Sequence, residues 1–132
     1  MSSDFSAVSP DRTVVASVAD FDDSVIAVIY RHVEAFVPGA DLHVVVLSIE
    51  GDLDSDAACH LEAAVRQAID GGAPVCCDLR SAGFFGAAGA RVLLSAVQQA
   101  AEADTLFLVR GVRGMAGRVL AAVGFDRTLI VH

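Results

Sequence analysis

From residue 25 onward, apolar runs of strand length alternate with longer segments in which apolar residues recur every three or four positions. Val25 to Val33, with Ile26, Val28 and Ile29, predicts a first strand. Pro38 and Gly39 close it, and Leu42 to Ile49 predicts a second, antiparallel to the first because the connection is short. Glu50 to Asp56 leaves that strand, with Asp54 or Ser55 as helix N-cap and Asp56 in the first turn, where negative charge suits the helix dipole. In the helix that follows, Ala57, Leu61, Ala64, Val65, Ala68 and Ile69 share one face while Glu62, Arg66, Gln67 and Asp70 lie off it, the pattern of a helix on a sheet. Gly71, Gly72 and Pro74 end it. Val75 to Leu79 has no polar alternation and reads as a buried third strand, so strand, helix and strand make a right-handed crossover between parallel neighbours. A second helix from Ala88 to Ala103 buries Val92, Leu93, Ala96, Val97 and Ala100. Leu106 to Arg110 predicts a fourth strand, Met115 to Val123 a third helix stopped at Gly124, and Thr128 to Val131 a last short strand or an extended tail. Residues 1–24 mix Ser, Asp and Pro with a short apolar patch at Val14 and Val15 and read as a flexible arm before one α/β domain over 25–132.

The stretch Asp78 to Ala96 is the centre of interest, because a strand passes through a glycine-rich turn into a helix whose free N–H groups sit beside Gly86, Ala87, Ala88 and Gly89. Such a helix start suits an anion or a docking partner. The turn has no Ser, Thr, Asp, Lys or His, so it offers no nucleophile, base or phosphate acceptor, and no catalytic residue is expected.

Composition narrows the classes. A 132-residue chain that is 55% hydrophobic can fill a single core. With net charge −8 and nine scattered basic residues it lacks the clustered cations of a nucleic-acid binder. No run approaches the ~18 apolar residues of a membrane span, and the N-terminus lacks a basic stretch followed by an apolar one, so a cytoplasmic protein without membrane contact is expected. Cys59, Cys76 and Cys77 lack metal-ligand spacing, and Cys76 and Cys77 face opposite sides of their strand. Buried, reduced thiols are the simple reading. His32, His43, His60 and His132 do not converge, and Asp52, Asp54 and Asp56 lack the glycine and distal glutamate of a calcium loop; no metal and no cofactor are expected.

Four motifs then carry a resemblance: GDLD at 51–54, the strand ending in DLR at 78–80, the phenylalanine-containing turn before Gly89 with VLL after it, and RVLAAVGFD at 118–126. In this order they resemble the STAS domain of bacterial anti-sigma factor antagonists over roughly residues 25 to 131. The resemblance implies an α/β fold, a mixed sheet of four to five strands packed by three to four helices. It also implies a non-enzymatic function, binding a switch-protein kinase that acts as anti-sigma factor and so freeing a sigma factor. In switched members the turn reads Asp-Ser-Ser-Gly and its first serine is phosphorylated. Carried over, these fall on Gly86, Ala87, Ala88 and Gly89, so the phosphosite position is Ala87 and carries no hydroxyl. A phosphate adds about −1.5 to −2 charge and would block a close interface; alanine permanently resembles the unmodified side.

The partner-binding residues expected from this likeness are Asp52, Asp54, Phe85, Gly86, Ala87, Ala88, Gly89 and Arg91, with Phe84 and Phe85 divided between core and interface and the two aspartates between contact and capping. Ser81 and Ser95 are alternative phosphosites, and Cys59 with Cys76 or Cys77 a possible redox input if Cα separations reach about 4.4–6.8 Å. The other readings are a STAS sensor or scaffold that binds a small ligand, other signalling subunits or itself as a weak homodimer, and a dinucleotide site on Gly83, Gly86 and Gly89. The first glycine spacing and Arg110 at the end of the following strand argue against the dinucleotide site.

Overall fold

The computed structural model describes residues 12–35 and 42–131. The expected turn at Pro38 and Gly39 and the first eleven residues lie outside this range. The elements are strands β1 (Thr13–Ala19), β2 (Val25–Ala35) and β3 (His43–Leu53), helix α1 (Ser55–Asp70), β4 (Val75–Asp78), β5 (Ala82–Phe85), α2 (Ala87–Glu102), β6 (Phe107–Arg110), α3 (Met115–Ala122), a 3-10 turn at Arg127–Leu129 and β7 (Ile130–Val131). The sheet order is β1-β2-β3-β4-β6-β7, with β5 paired to β3 alone. β1, β2 and β3 are antiparallel neighbours, whereas β3, β4, β6 and β7 run parallel, so the sheet is mixed as expected.

Two expectations need correction. Residues 13–24 are not a flexible arm: TVVASVA forms β1, pairs with β2 from Thr13 against Arg31 to Ala19 against Val25, and buries Val18. Its β-branched residues fit a strand, and the exposure of Val14 and Val15 reflects its place at the sheet edge. The sheet has seven strands rather than four to five. β5 hides in sequence because AGFF is short and begins next to a glycine, and β3 runs on to Leu53 to pair with it, Gly51 against Ala82 and Leu53 against Phe85. Gly51 permits this. Its φ is +105°, and a Cβ there would sit 2.2 Å from the Ile26 carbonyl oxygen.

The period-two alternation of β3 sorts the sheet into two faces. Val45, Leu47 and Ile49 face the helices with Val75, Cys77, Phe107 and Val109, against Leu61, Val65 and Ile69 of α1 and Leu93, Ala96 and Ala100 of α2. Leucine-sized burial there stabilises by roughly 1.5–3 kcal/mol per side chain. Val44, Val46, Cys76 and Leu108 form a smaller apolar cluster on the opposite face with Leu129 and Val131. Beyond that cluster the same face becomes charged.

Candidate functional site

Three features fix the turn between β5 and α2. Asp52, near the end of β3, accepts a hydrogen bond from the Phe84 N–H at 2.8 Å, which ties the turn to the neighbouring strand. Phe85 points inward and is 4% exposed, while Phe84 is 56% exposed. The Phe84 ring lies across Gly86, where a Cβ would meet two of its carbons at 2.9 Å. Gly86 is the N-cap of α2 but supplies no side-chain cap, and no acidic residue stands in the first turn. Ala87 is exposed and Ala88 half-buried at this helix start, and Arg91 stands exposed one turn on. Met115, at the start of α3, is 63% exposed and lines one hollow with Gly83 and Arg113.

The structure sorts the expected site residues into inward and outward groups. Phe85 is a core residue, and the exposed aromatic is Phe84. Gly89 is also buried, on the inward side of α2, where a Cβ would meet Leu53 Cδ2 at 2.6 Å and Phe85 Cε1 at 3.1 Å; its smallness serves packing. Asp54 is the N-cap of α1, accepting from the Ala57 N–H at 2.9 Å, so its carboxylate is engaged. Ser95 is half-buried with its Oγ accepting from Gln99 Nε2 at 3.0 Å, whereas Ser81 is exposed.

A second cluster escaped the sequence reading, on the face of the sheet opposite the helices. Arg110, ending β6, donates to both Glu34 oxygens at 3.0 and 2.7 Å and to Asp78 Oδ2 at 3.0 Å. Arg80 clasps Asp78 with a 2.7 Å bond from Nη2 and two longer ones from Nε. His32 Nε2 lies 2.6 Å from Glu34 Oε2. Beside them Arg12 pairs with Glu50 and stacks 3.4 Å from the Tyr30 ring centroid. The Arg110 hydrogen bond lowers the Glu34 carboxyl to about 2, against the opposing effect of burial and with help from His32. Burial pushes Asp78 upward, but the bonds from Arg80 and Arg110 outweigh it and leave the carboxyl below its usual range. Together these groups line a concavity of about 530 Å³ that also takes in Ser48 and Ser81. Among the described residues, two buried side-chain polar atoms, Arg12 Nε and His32 Nδ1, have no hydrogen-bond partner. Strand period alone would have placed His32 and Glu34 on one face, but their meeting with Asp78 and Arg110 comes only from the β4–β6 register of the folded sheet.

The sequence model described as "Mlab, STAS domain" matches residues 36–132. The chain belongs to the STAS-domain family. Solved structures of anti-sigma factor antagonists share its fold. The unphosphorylated form of the anti-sigma factor antagonist SpoIIAA superposes with a TM-score of 0.60 at 16% identity, over 76% of this chain and 85% of that one. SpoIIAA in its phosphorylated form, described as a Bacillus cell fate determinant, gives 0.58 at 16% identity over 76% and 88%. An anti-sigma factor antagonist from Mycobacterium paratuberculosis gives 0.59 at 24% identity over 86% and 89%. No curated protein matches the sequence.

Within this STAS domain the three thiols stay apart. All are free: Cys59 is exposed on α1, Cys77 is in the helix-side core and Cys76 is on the other face, so the sheet separates Cys76 from Cys59. Burial pushes the Cys76 thiol up to about 11 and Cys77 well above its ordinary value, which leaves neither as a reactive thiolate. A Cys59–Cys76 pair would have to cross the sheet, whereas Cys59 and Cys77 lie on its helix side. Among the described residues no helix is long and apolar enough to cross a membrane.

Proposed function

We propose that this STAS domain is an anti-sigma factor antagonist. It binds an anti-sigma factor of the switch-protein kinase class in the cytoplasm and so frees a sigma factor, without catalysing a reaction itself. The observation that carries the reading is the surface at the start of α2, where an exposed Phe84 ring lies over Gly86 beside the exposed Ala87. An exposed aromatic held by a backbone tether is the kind of residue that dominates protein interfaces. Ala87 has no hydroxyl, so phosphoryl transfer cannot occur there and the surface is permanently in its unmodified state.

The test is binding of the purified protein to a panel of anti-sigma kinases from the same host, comparing wild type with Ala87→Glu under reducing and oxidising conditions. The expected result is micromolar or tighter binding to one member, lost on Ala87→Glu and equal under both redox conditions. Failure to bind any member would remove the antagonist reading.

A second reading rests on the charged concavity opposite the helices, whose unpartnered Arg12 Nε and His32 Nδ1 would suit a small polar ligand. On that reading the domain is a sensor or scaffold, and a ligand screened by thermal shift would raise its melting temperature. Native mass would reveal self-association into a weak dimer.

A further inference from the structure

The protein is acidic as a whole, yet the surface around Phe84 is not. Between Leu79 and Phe125 the carboxylates are Glu102 and Asp104, and the arginines are Arg80, Arg91, Arg110, Arg113 and Arg118. Glu102 ends α2, roughly 20 Å along the helix axis from Ala87, so it does not neutralise the near end. Arg80 and Arg110 are spent on Asp78 and Glu34. The other three remain available. Arg113 donates one hydrogen bond to the Arg80 carbonyl oxygen at 2.9 Å, which leaves its charge uncompensated. Among the described residues, Arg91 and Arg118 have no carboxylate partner, and both are exposed.

These cations flank the exposed apolar groups. Arg91 follows Ala87 by one helical turn, and Arg118 follows Met115 by three residues on the exposed side of α3. Arg113 shares with Met115 and Gly83 the hollow beside β5. Asp52 also stands at this surface; its Oδ1 accepts from the Phe84 N–H, which leaves its charge in place, so Arg91, Arg113 and Arg118 act against that one negative charge beside Phe84. The surface therefore presents two exposed apolar side chains, Phe84 next to Gly83 in sequence and Met115 in the hollow Gly83 lines, with Arg91, Arg113 and Arg118 on the same turn and helix starts, in a chain whose net charge is −8.

We infer that this face docks an acidic protein segment, one carrying Asp or Glu side chains around one or two apolar residues that meet Phe84 and Met115. The inference rests on the reading of this face as the contact surface and adds the chemistry of the partner. Arginines beside exposed apolar side chains steer and select an acidic segment that the rest of this acidic protein would repel, so the local patch sets both encounter and register. Ala87→Glu would then act against the partner by like-charge repulsion as well as by bulk.

The experiment follows backbone amide shifts of the ¹⁵N-labelled full chain with two synthetic probes: a 14-residue peptide alternating Glu with Leu and Phe, and the same peptide with Lys for Glu. The Glu peptide is expected to move the amides of 83–91 and 113–118. Its dissociation constant should rise at least tenfold between 50 and 500 mM NaCl, and at least tenfold in the Arg91→Glu/Arg118→Glu double variant. Shifts of those amides by the Lys peptide, no shift there with the Glu peptide, or an unchanged affinity in the double variant would overturn the inference. The same double variant tested on any anti-sigma kinase that binds keeps the two readings separable. Binding that survives it refutes the acidic-partner inference alone, whereas a silent kinase panel with a positive peptide map removes only the partner class.

Discussion

Arg110→Met removes the guanidinium that joins β6 to β2 across the open face, and the size and pH dependence of its effect follow from the geometry. Three charged hydrogen bonds are lost, two to Glu34 and one to Asp78. Asp78 is nearly buried, with a side chain 5% exposed, but keeps Arg80, so it is not stranded. The fall of the Glu34 carboxyl from 4.5 to about 2 bounds its share. At about 1.4 kcal/mol per pH unit that is at most about 3.5 kcal/mol, and solvent screening of a side chain 35% exposed reduces it to about 1–2 kcal/mol. With the partial loss at Asp78, the expected destabilisation at pH 7 is about 2–3 kcal/mol. The folded-state pKa is depressed, so this stability is complete above about pH 4.5 and is lost as pH falls toward 2. Urea unfolding of wild type and Arg110→Met at pH 7, 5, 4 and 3 should show a gap that is the same at pH 7 and 5 and at least halved by pH 3. A gap that stays constant down to pH 3, or one below about 0.5 kcal/mol at neutral pH, would refute the ion-pair account.

Other substitutions probe the turn. Ala87→Glu places a carboxylate at an α2 start that has neither side-chain cap nor first-turn acid, so it should stabilise the fold by about 0.3–1 kcal/mol, read as a higher melting temperature, even while it abolishes partner binding. Gly89→Ala gains about 1 kcal/mol of helix propensity but drives a Cβ to within 2.6 Å of the buried Leu53, so urea unfolding should show a net loss of about 1 kcal/mol. Asp54→Ala removes the α1 cap and should cost about 1 kcal/mol with no change in binding, whereas Asp52→Ala should leave global stability within about 1 kcal/mol, speed hydrogen exchange at the Phe84 amide and weaken binding.

Much of the architecture was legible because hydrophobic period and element agree: Leu61, Val65 and Ile69 announce α1, and Val75 to Asp78 announces a strand buried on both faces. β1 and β5 were not, for different reasons. β1 is an edge strand, so its alternation is blurred by exposed Val14 and Val15, and β5 becomes a strand only because β3 extends beyond β4 to meet it. The inward and outward assignments of Phe84 and Phe85 were open in sequence, since adjacent strand residues face opposite ways and only the pairing of Phe85 with Leu53 fixes which is inside. The Arg110 cluster was illegible, because Glu34 and Arg110 are 76 residues apart and belong to non-adjacent strands.

Gly86 and Ala87 look like two separate departures from the Asp-Ser-Ser-Gly motif of switched relatives, yet the structure couples them. Gly86 has φ −109° and ψ −172°, extended values open to any residue, so its backbone does not require glycine. What favours it is the Phe84 ring, whose outer carbons lie 2.9 Å from where a Cβ would stand, so a larger residue would turn that exposed ring aside. An aspartate at this position and the ring in its present place exclude each other. Once the ring covers the N-cap, a hydroxyl at 87 would lack the neighbouring carboxylate of the motif and would lie beside an apolar surface. Glycine with alanine in place of aspartate with serine is thus a single exchange relative to that motif, and it leaves a helix start that is aromatic and offers no phosphate acceptor. Under the proposed function this exchange moves control away from the turn itself. The affinity of the surface is then set by Phe84, Met115 and the arginines around them, and any regulation acts through the supply of the partner.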